Sequence, residues 1–342
     1  MGEARPMDGS TRSGPARYRG AWSAASLLIV VALVEYVVLP KLAIAGESLD
    51  RVTHLHPLWV IAAVALEAAS LVSYSLFTRV LLTGSRVRFS WILRSDITGY
   101  GVSHVIPGGA ATATALRFRL LVSGGALPTE VTATIAAEAI GSWLALVLMA
   151  WLTSIPALFL QHATSSYLLL FGIGLVALAG GVLAVRERSA LERFAARLLR
   201  SLLQHLPRRV RPWIASVALR LRDLLADRAV RRAFLVWAPL NWFLDAAVLW
   251  TFLAAYGEPL SPVPLLLAYC VANLASALPL TPGGIAVVEG IAISTLIGFG
   301  VSAPTAVLAV LSWRLLQFWA PVPLAGACYL SLRAQSGLMA RR

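Results

Sequence analysis

Cysteine is nearly absent. The two in 342 residues, Cys270 and Cys328, lie in separate apolar stretches, which excludes a disulfide framework and a cysteine metal site. Charge is scarce as well: 13% of residues carry it, with only 16 acidic side chains against 29 Lys and Arg. No Gly-x-Ser-x-Gly elbow, His-Glu-x-x-His helix, Walker loop or Asp-rich cluster occurs. Of the five histidines, His54, His56, His162 and His205 fall in expected loops. His104 has no second His or carboxylate at ligand spacing, so it reads as a capping or packing residue. No nucleophile is legible with its base. Neither a metal nor a cofactor is expected, and no catalytic residue can be named.

Hydrophobic residues, by contrast, make up 58% of the chain. That proportion belongs to polytopic membrane proteins, and the expected fold class is an all-α membrane helix bundle. Windows long enough to cross a core of about 30 Å fall at about 23–45, 57–83, 128–152, 166–185, 233–256 and 303–331. Two more apolar stretches, about 95–121 and 263–300, are interrupted. The reading is six full spans plus two re-entrant or broken segments, for which pairs of short spans would look the same. Arg5, Arg12, Arg17 and Arg19 before an apolar run ending Ala43-Ile44-Ala45-Gly46 mimic a signal peptide. The run is long for one and contains Glu35, so a retained first helix is expected.

Each interrupted stretch contains Pro-Gly-Gly, once as Pro107-Gly108-Gly109 and once as Pro282-Gly283-Gly284. An unpaired backbone amide in lipid costs several kcal/mol, so broken backbone persists only where protein or a watery cavity covers it. Gly/Pro interruptions at matching places in two halves point to a transporter's substrate site.

The positive charge is concentrated. Between Arg186 and Arg232 there are 13 arginines against four acidic residues, a net +9, whereas 153–165 has no Lys or Arg. Basic loops stay cytoplasmic. This predicts a cell-membrane protein with both termini cytoplasmic: a tail at 1–22, a first repeat at 23–160, and a second at 161–342 that includes the basic loop 186–232. The two repeats then run span–span–dip–span in opposite orientations. The arginines lack interleaved base-stacking aromatics, so nucleic acid is not expected and anionic lipid headgroups are the partner for 186–232. Leu191, Phe194, Leu198, Leu202 and Leu206 recur at helical spacing, as in a helix lying on the membrane surface.

A charge near the centre of a span costs about 2.5–3.5 kcal/mol even on insertion scales, so each is a functional hypothesis. Glu67 shares a face with Ser70, Tyr74 and Thr78, and Glu130, Thr134, Glu138 and Ser142 form another i+4 stripe. Asn241 and Asp245 are also four apart, and Arg314 and Gln317 share a face above the helix-breaking Pro321 and Pro323. Glu289 follows Pro282 by seven residues; Arg117 and Arg119 follow Pro107 by ten and twelve. Either several of these face one cavity that carries a charged headgroup, or they are structural ion pairs. On the first reading, helix N-termini after each Pro-Gly-Gly offer amides to a phosphate, and Arg314 meets phosphate or holds Glu289. The expected substrate-binding set is Pro107, Gly108, Gly109, Arg117, Glu138, Asp245, Pro282, Gly283, Gly284, Glu289, Arg314 and Gln317.

Pro279-Leu280-Thr281-Pro282-Gly283-Gly284-Ile285-Ala286-Val287-Val288-Glu289 resembles the P-x-x-P-G-G-x-G-x-x-E signature of the lysylphosphatidylglycerol synthase transmembrane-region family. Arg314 through Pro321 resembles that family's R-L-x-x-[FY]-W-x-P helix, and Pro107 through Arg117 is similar to its first half-site. Two departures stand out. Ala286 occupies a usual glycine position, and Glu138-Ala139-Ile140-Gly141 stands where many members have Glu-Arg-x-x-Asp. The resemblance implies a lipid-translocating domain, here without the cytosolic aminoacyl-transferase. The leading expectation is a flippase for a polar (glyco- or amino-) phospholipid or lipid-linked intermediate. The alternative is a non-catalytic scaffold or accessory subunit partnered with an envelope-lipid or glycan enzyme. An intramembrane transferase acting on lipid carriers comes third.

Overall fold

The computed structural model describes residues 55–82, 84–105, 109–160, 211–276 and 284–339, with five isolated positions between 160 and 211. Every regular element among them is helical. Ten helices follow in order: α1 (Pro57–Leu81), α2 (Phe89–Val105), α3 (Gly109–Ser123), α4 (Pro128–Leu160), α5 (Arg211–Ala226), α6 (Arg228–Ala255), α7 (Pro262–Ala275), α8 (Val287–Gly298), α9 (Ala303–Arg314) and α10 (Pro321–Met339). Among the described residues, four stretches are long and apolar enough to cross a membrane: 57–81, 128–156, 228–255 and 303–335. They coincide with four of the six expected spans. The other two, at 23–45 and 166–185, lie outside the described residues, as do the N-terminal tail and the Leu191–Leu206 pattern apart from isolated positions.

Helix starts follow from local chemistry. His56 Nδ1 accepts from the Leu58 amide at 3.4 Å, with Pro57 opening α1. Asp227 accepts from the Ala229 amide at 2.7 Å and caps α6. The start of α9 is held from a distance. Glu258, in the turn after α6, accepts from Ser302 N (2.7 Å), Ser302 Oγ (2.6 Å) and Thr305 Oγ1 (2.8 Å). A carboxylate at a helix N-terminus answers both the free amides and the dipole.

Both interrupted stretches are pairs of short helices. α2 and α3 have 17 and 15 residues, and α7 and α8 have 14 and 12. At about 1.5 Å per residue they reach about 18–26 Å, short of a full crossing. The order long–short pair–long therefore occurs twice: α1, α2/α3, α4, then α6, α7/α8, α9–α10. Ahead of α8, Gly284 has φ 69° and Ala286 has φ 67°, the latter the one non-glycine with positive φ among the described residues. A glycine is at home in that region, so Ala286 holds a backbone conformation that glycine adopts more readily.

Pro321 and Pro323 do not break the last span. Between α9 and α10 the chain makes one π turn, Leu315–Trp319, in which Ala320 N–H reaches Leu315 O at 2.9 Å, and the helix then continues. Pro321 has no N–H to give, and the widened turn absorbs that loss within the helix.

Packing between the halves is reciprocal. α1 lies along α6; α2 packs on α10 and, correspondingly, α7 packs on α4. The α2–α10 approach is close, since a Cβ on Gly101 would lie 2.5 Å from Ala325 Cβ and 2.7 Å from Pro321 O. The largest apolar core, including Leu249, Leu253, Ala292, Leu296 and Val310, belongs mainly to the second half. Leu58, Ile61, Ile140, Leu144, Leu235 and Leu330 point outward on the long helices, as lipid-facing positions do.

Candidate functional site

Arg117 lies two turns into α3 and is buried, whereas Arg119 faces outward. Its Nε donates to Asp96 Oδ1 on α2 at 2.6 Å. Its two terminal nitrogens grip Glu138 on α4 at 2.5 and 2.8 Å. Thr78 Oγ1 accepts at 2.9 Å, Tyr74 OH at 3.2 Å, and the guanidinium lies 5.3 Å from the Tyr74 ring centre. One guanidinium thus joins four helices and answers two buried carboxylates. The cation that Glu138 lacks on its own helix comes from α3.

The second pair is built on Arg314, at the end of α9. Its Nε donates to Glu289 Oε1 on α8 at 2.6 Å and its Nη1 to Gln317 Oε1 at 2.8 Å. The guanidinium also covers the Phe318 ring, 4.5 Å from its centre. Gln317 passes the chain on, donating Nε2 to Tyr100 OH on α2 at 2.7 Å. The π turn sets Gln317 and Phe318 where they meet Arg314 and the first half. Glu289 Oε2 is buried with no hydrogen-bond partner. Glu289 stands in the first turn of α8, which has no side-chain cap of its own, so a carboxylate already adjoins that positive helix end.

A carboxyl pair adjoins the second site. Asp245 on α6 accepts from Tyr269 OH and Trp313 Nε1, both at 2.6 Å. Glu67 on α1 neighbours Asp245, one turn from the Ser70–Asn241 hydrogen bonds that join the same two helices, while its Oε2 is buried with no hydrogen-bond partner. Trp313 and Arg314 are consecutive, so neighbouring residues hold Asp245 and Glu289.

Of the twelve expected site residues, the structure joins Arg117 with Glu138, and Glu289 with Arg314 and Gln317; Asp245 adjoins the second group. Pro107, Gly108, Pro282 and Gly283 lie outside the described residues. Gly109 opens α3, and a Cβ on Gly284 would meet Val288 Cγ2 at 2.9 Å. The polar stripes divide among partners. On α1, Glu67 meets Asp245, Ser70 accepts from Asn241 Nδ2 at 2.8 Å, and Tyr74 and Thr78 meet Arg117. On α4, Glu130 pairs with Arg220 at 3.3 Å and Glu138 with Arg117. His104 packs, stacking on Phe318 with ring centres 4.1 Å apart and its Nδ1 3.0 Å from Phe318 O.

Sequence reasoning missed Asp96, Tyr100, Tyr269 and Trp313. Asp96 carried a signal, a carboxylate in an apolar stretch, but it stands at the stretch's edge near Arg94. The aromatic residues carried none, because a Tyr or Trp in an apolar helix looks like any core residue.

The ion pairs occupy equivalent places with their charges exchanged. In the first half the helix after the break carries Arg117 and the following long helix carries Glu138. In the second half the helix after the break carries Glu289 and the following one Arg314.

The sequence profile of the family described as "Lysylphosphatidylglycerol synthase TM region" matches residues 23–325. Inner membrane protein YbhN of Escherichia coli is 32% identical over 97 residues, 28% of this chain and 30% of that protein, so this match spans less than a third of YbhN. A UPF0104 membrane protein of Methanothermobacter thermautotrophicus is 25% identical over 314 residues, 86% of this chain and 91% of the relative.

Proposed function

The chain belongs to the lysylphosphatidylglycerol synthase transmembrane-region family, and on that premise we propose that it moves a polar phospholipid or lipid-linked intermediate between leaflets. The observation that carries this reading is the matched pair of buried Arg–Glu contacts, each linking the helix after a break to the next long helix. A guanidinium fork accepts a phosphate as readily as a carboxylate. A headgroup phosphate therefore competes with Glu138 for Arg117, or with Glu289 for Arg314, and the displaced carboxylate is free for a headgroup amine. Buried charge of this kind is costly and is retained where a polar cargo must pass.

In the proposed architecture, 23–160 and 161–342 are inverted repeats. The twice-repeated helix order and the reciprocal packing of α2 on α10 and α7 on α4 support it. The tails and the basic loop 186–232 face the cytoplasm of a cell membrane, with the arginines on anionic headgroups. α5 supports that contact, exposing Trp213, Leu219 and Leu225 on a helix that also carries Arg211, Arg220 and Arg222.

The test is leaflet exchange of headgroup-labelled phosphatidylglycerol and phosphatidylethanolamine in vesicles reconstituted with the full chain. Glu289→Gln and Arg314→Ala should each slow exchange at least tenfold while the protein stays monodisperse. Unchanged exchange in both folded variants would remove the proposed site. Absence of exchange by the wild-type chain for either lipid would remove these two substrates.

A further inference from the structure

Among the described residues, Glu67 on α1 and Asp245 on α6 are the buried carboxyl groups that form no ion pair with Arg117 or Arg314. Glu67 and Asp245 are 7% and 5% exposed and stand next to each other across the α1–α6 seam, one turn beyond the Ser70–Asn241 hydrogen bonds. Asp245 already receives two short hydrogen bonds, from Tyr269 OH and Trp313 Nε1. Both of those donors are neutral. Two neighbouring buried carboxyl groups with no cation bonded to them do not both ionise without a large cost, and one can donate to the other only when it carries a proton, since ionised carboxylates only accept. The second oxygen of Glu67 is buried and unpartnered, an acceptor in a place where leaving one unmade is costly.

From this geometry we infer that Glu67 and Asp245 form a proton-binding site: one proton, shared between the two carboxyl groups, that exchanges with solvent. The ligand is a proton and not a metal cation. A hard cation takes about six oxygens, and no group of three potential metal-ligating side chains occurs among the described residues. The donors of Tyr269 and Trp313 also point at both Asp245 oxygens, where a metal would have to sit. Around the pair stand Tyr100 from α2, Tyr269 from α7 and Arg314 from α9. Glu138 on α4 and Glu289 on α8 are engaged by Arg117 and Arg314. The site bridges the first long helix of each half, so movement between the halves changes the contact that holds the proton. If transport occurs as proposed above, this proton is its coupling ion, and that one step rests on the transport reading.

Infrared difference spectroscopy on the full chain, reconstituted in phosphatidylethanolamine–phosphatidylglycerol vesicles, tests the site without a substrate. The expected result is a protonated-carboxyl band equal to one group per chain at neutral pH that shifts in heavy water. Glu67→Gln should abolish the band, Asp245→Asn should shift or abolish it, and Glu130→Gln should leave it intact. Gln and Asn keep the shape and can donate in the proton's place, so both variants should fold. Absence of the band, its survival unchanged in both variants, or its dependence on replacing sodium by choline at fixed pH would overturn the inference. The transport reading fails separately. If neither labelled phosphatidylglycerol nor labelled phosphatidylethanolamine crosses, with or without a pH gradient, those two substrates fall, and the infrared band still decides the proton site.

Discussion

Replacing Arg117 by Met retains the apolar stem of the side chain and removes one thing, the guanidinium. Five hydrogen bonds disappear with it, to Asp96, Thr78, Tyr74 and twice to Glu138. What remains is two carboxylates at 4% and 1% exposure with no cation between them. Removing one partner of a buried ion pair costs about 3–5 kcal/mol, chiefly because the other charge stays buried. Two orphaned carboxylates put this site at the upper end of that range. Neutralising all three groups, with Arg117→Met, Asp96→Asn and Glu138→Gln together, removes the stranded charge and should cost only about 1–2 kcal/mol, since neutral replacement of a buried network is often close to neutral. The assay is equilibrium unfolding in mixed micelles followed by tryptophan fluorescence, run as a cycle of single, double and triple variants. The single Arg117 variant should be the least stable of the set, with coupling to Glu138 of about 2–3 kcal/mol. If Arg117→Met costs under about 1 kcal/mol, or the substitutions add without coupling, Arg117 is not the centre of that cluster.

Two further outcomes follow from backbone and capping. At Ala286, a left-handed φ of 67° costs an L-residue about 1–2 kcal/mol. The buried methyl returns about 0.8 kcal/mol, and glycine's unfolded-state entropy offsets much of the remainder. Ala286→Gly should therefore shift stability by less than about 1 kcal/mol, while Ala286→Val, β-branched in that region, should cost over about 2 kcal/mol; the same unfolding assay separates them. Glu258→Ala removes three acceptor contacts at the start of α9 and should cost about 1–3 kcal/mol. Hydrogen exchange should rise first at the amides around Ser302, and protection unchanged there would contradict the capping role.

The long helices were legible because span length and hydropathy are properties of consecutive residues; 57–83, 128–152, 233–256 and 303–331 needed no tertiary information. The division of each interrupted stretch into two short helices was legible because Pro and Gly are local signals; among the described residues Gly109 opens α3 and Gly284 precedes α8. Partner choice was not. The i+4 spacing put Glu67, Ser70, Tyr74 and Thr78 on one face of α1, yet α1 crosses several neighbours, so successive turns of that face meet Asp245, Asn241 and Arg117 in sequence. The π turn was hidden for a related reason. Pro321 announces a missing N–H, but whether the chain kinks, stops or widens by one residue depends on what holds the two flanking helices, here α8 and α6 on one side and α2 on the other.

The exchange of charge between the two ion pairs constrains how the proposed repeats can work. Had both helices after the breaks carried arginine, an inverted pair would present identical anion sites to the two faces of the membrane. Instead the guanidinium sits on the helix after the break in the first half and on the long helix in the second. The mobile partner therefore differs. If the short helix is the part that moves, the first half shifts its cation and leaves two carboxylates behind, while the second shifts a carboxylate and leaves its cation fixed beside Gln317 and Tyr100. An anionic headgroup reaching the second site would find Arg314 already positioned, whereas at the first it must capture Arg117 from two competing carboxylates. On electrostatic grounds the second half is the better resting site for phosphate and the first the better barrier. Glu138→Gln should accordingly speed leaflet exchange in the proposed transporter, while Glu289→Gln slows it. Equal effects of the two substitutions would mean that the charge exchange has no part in direction.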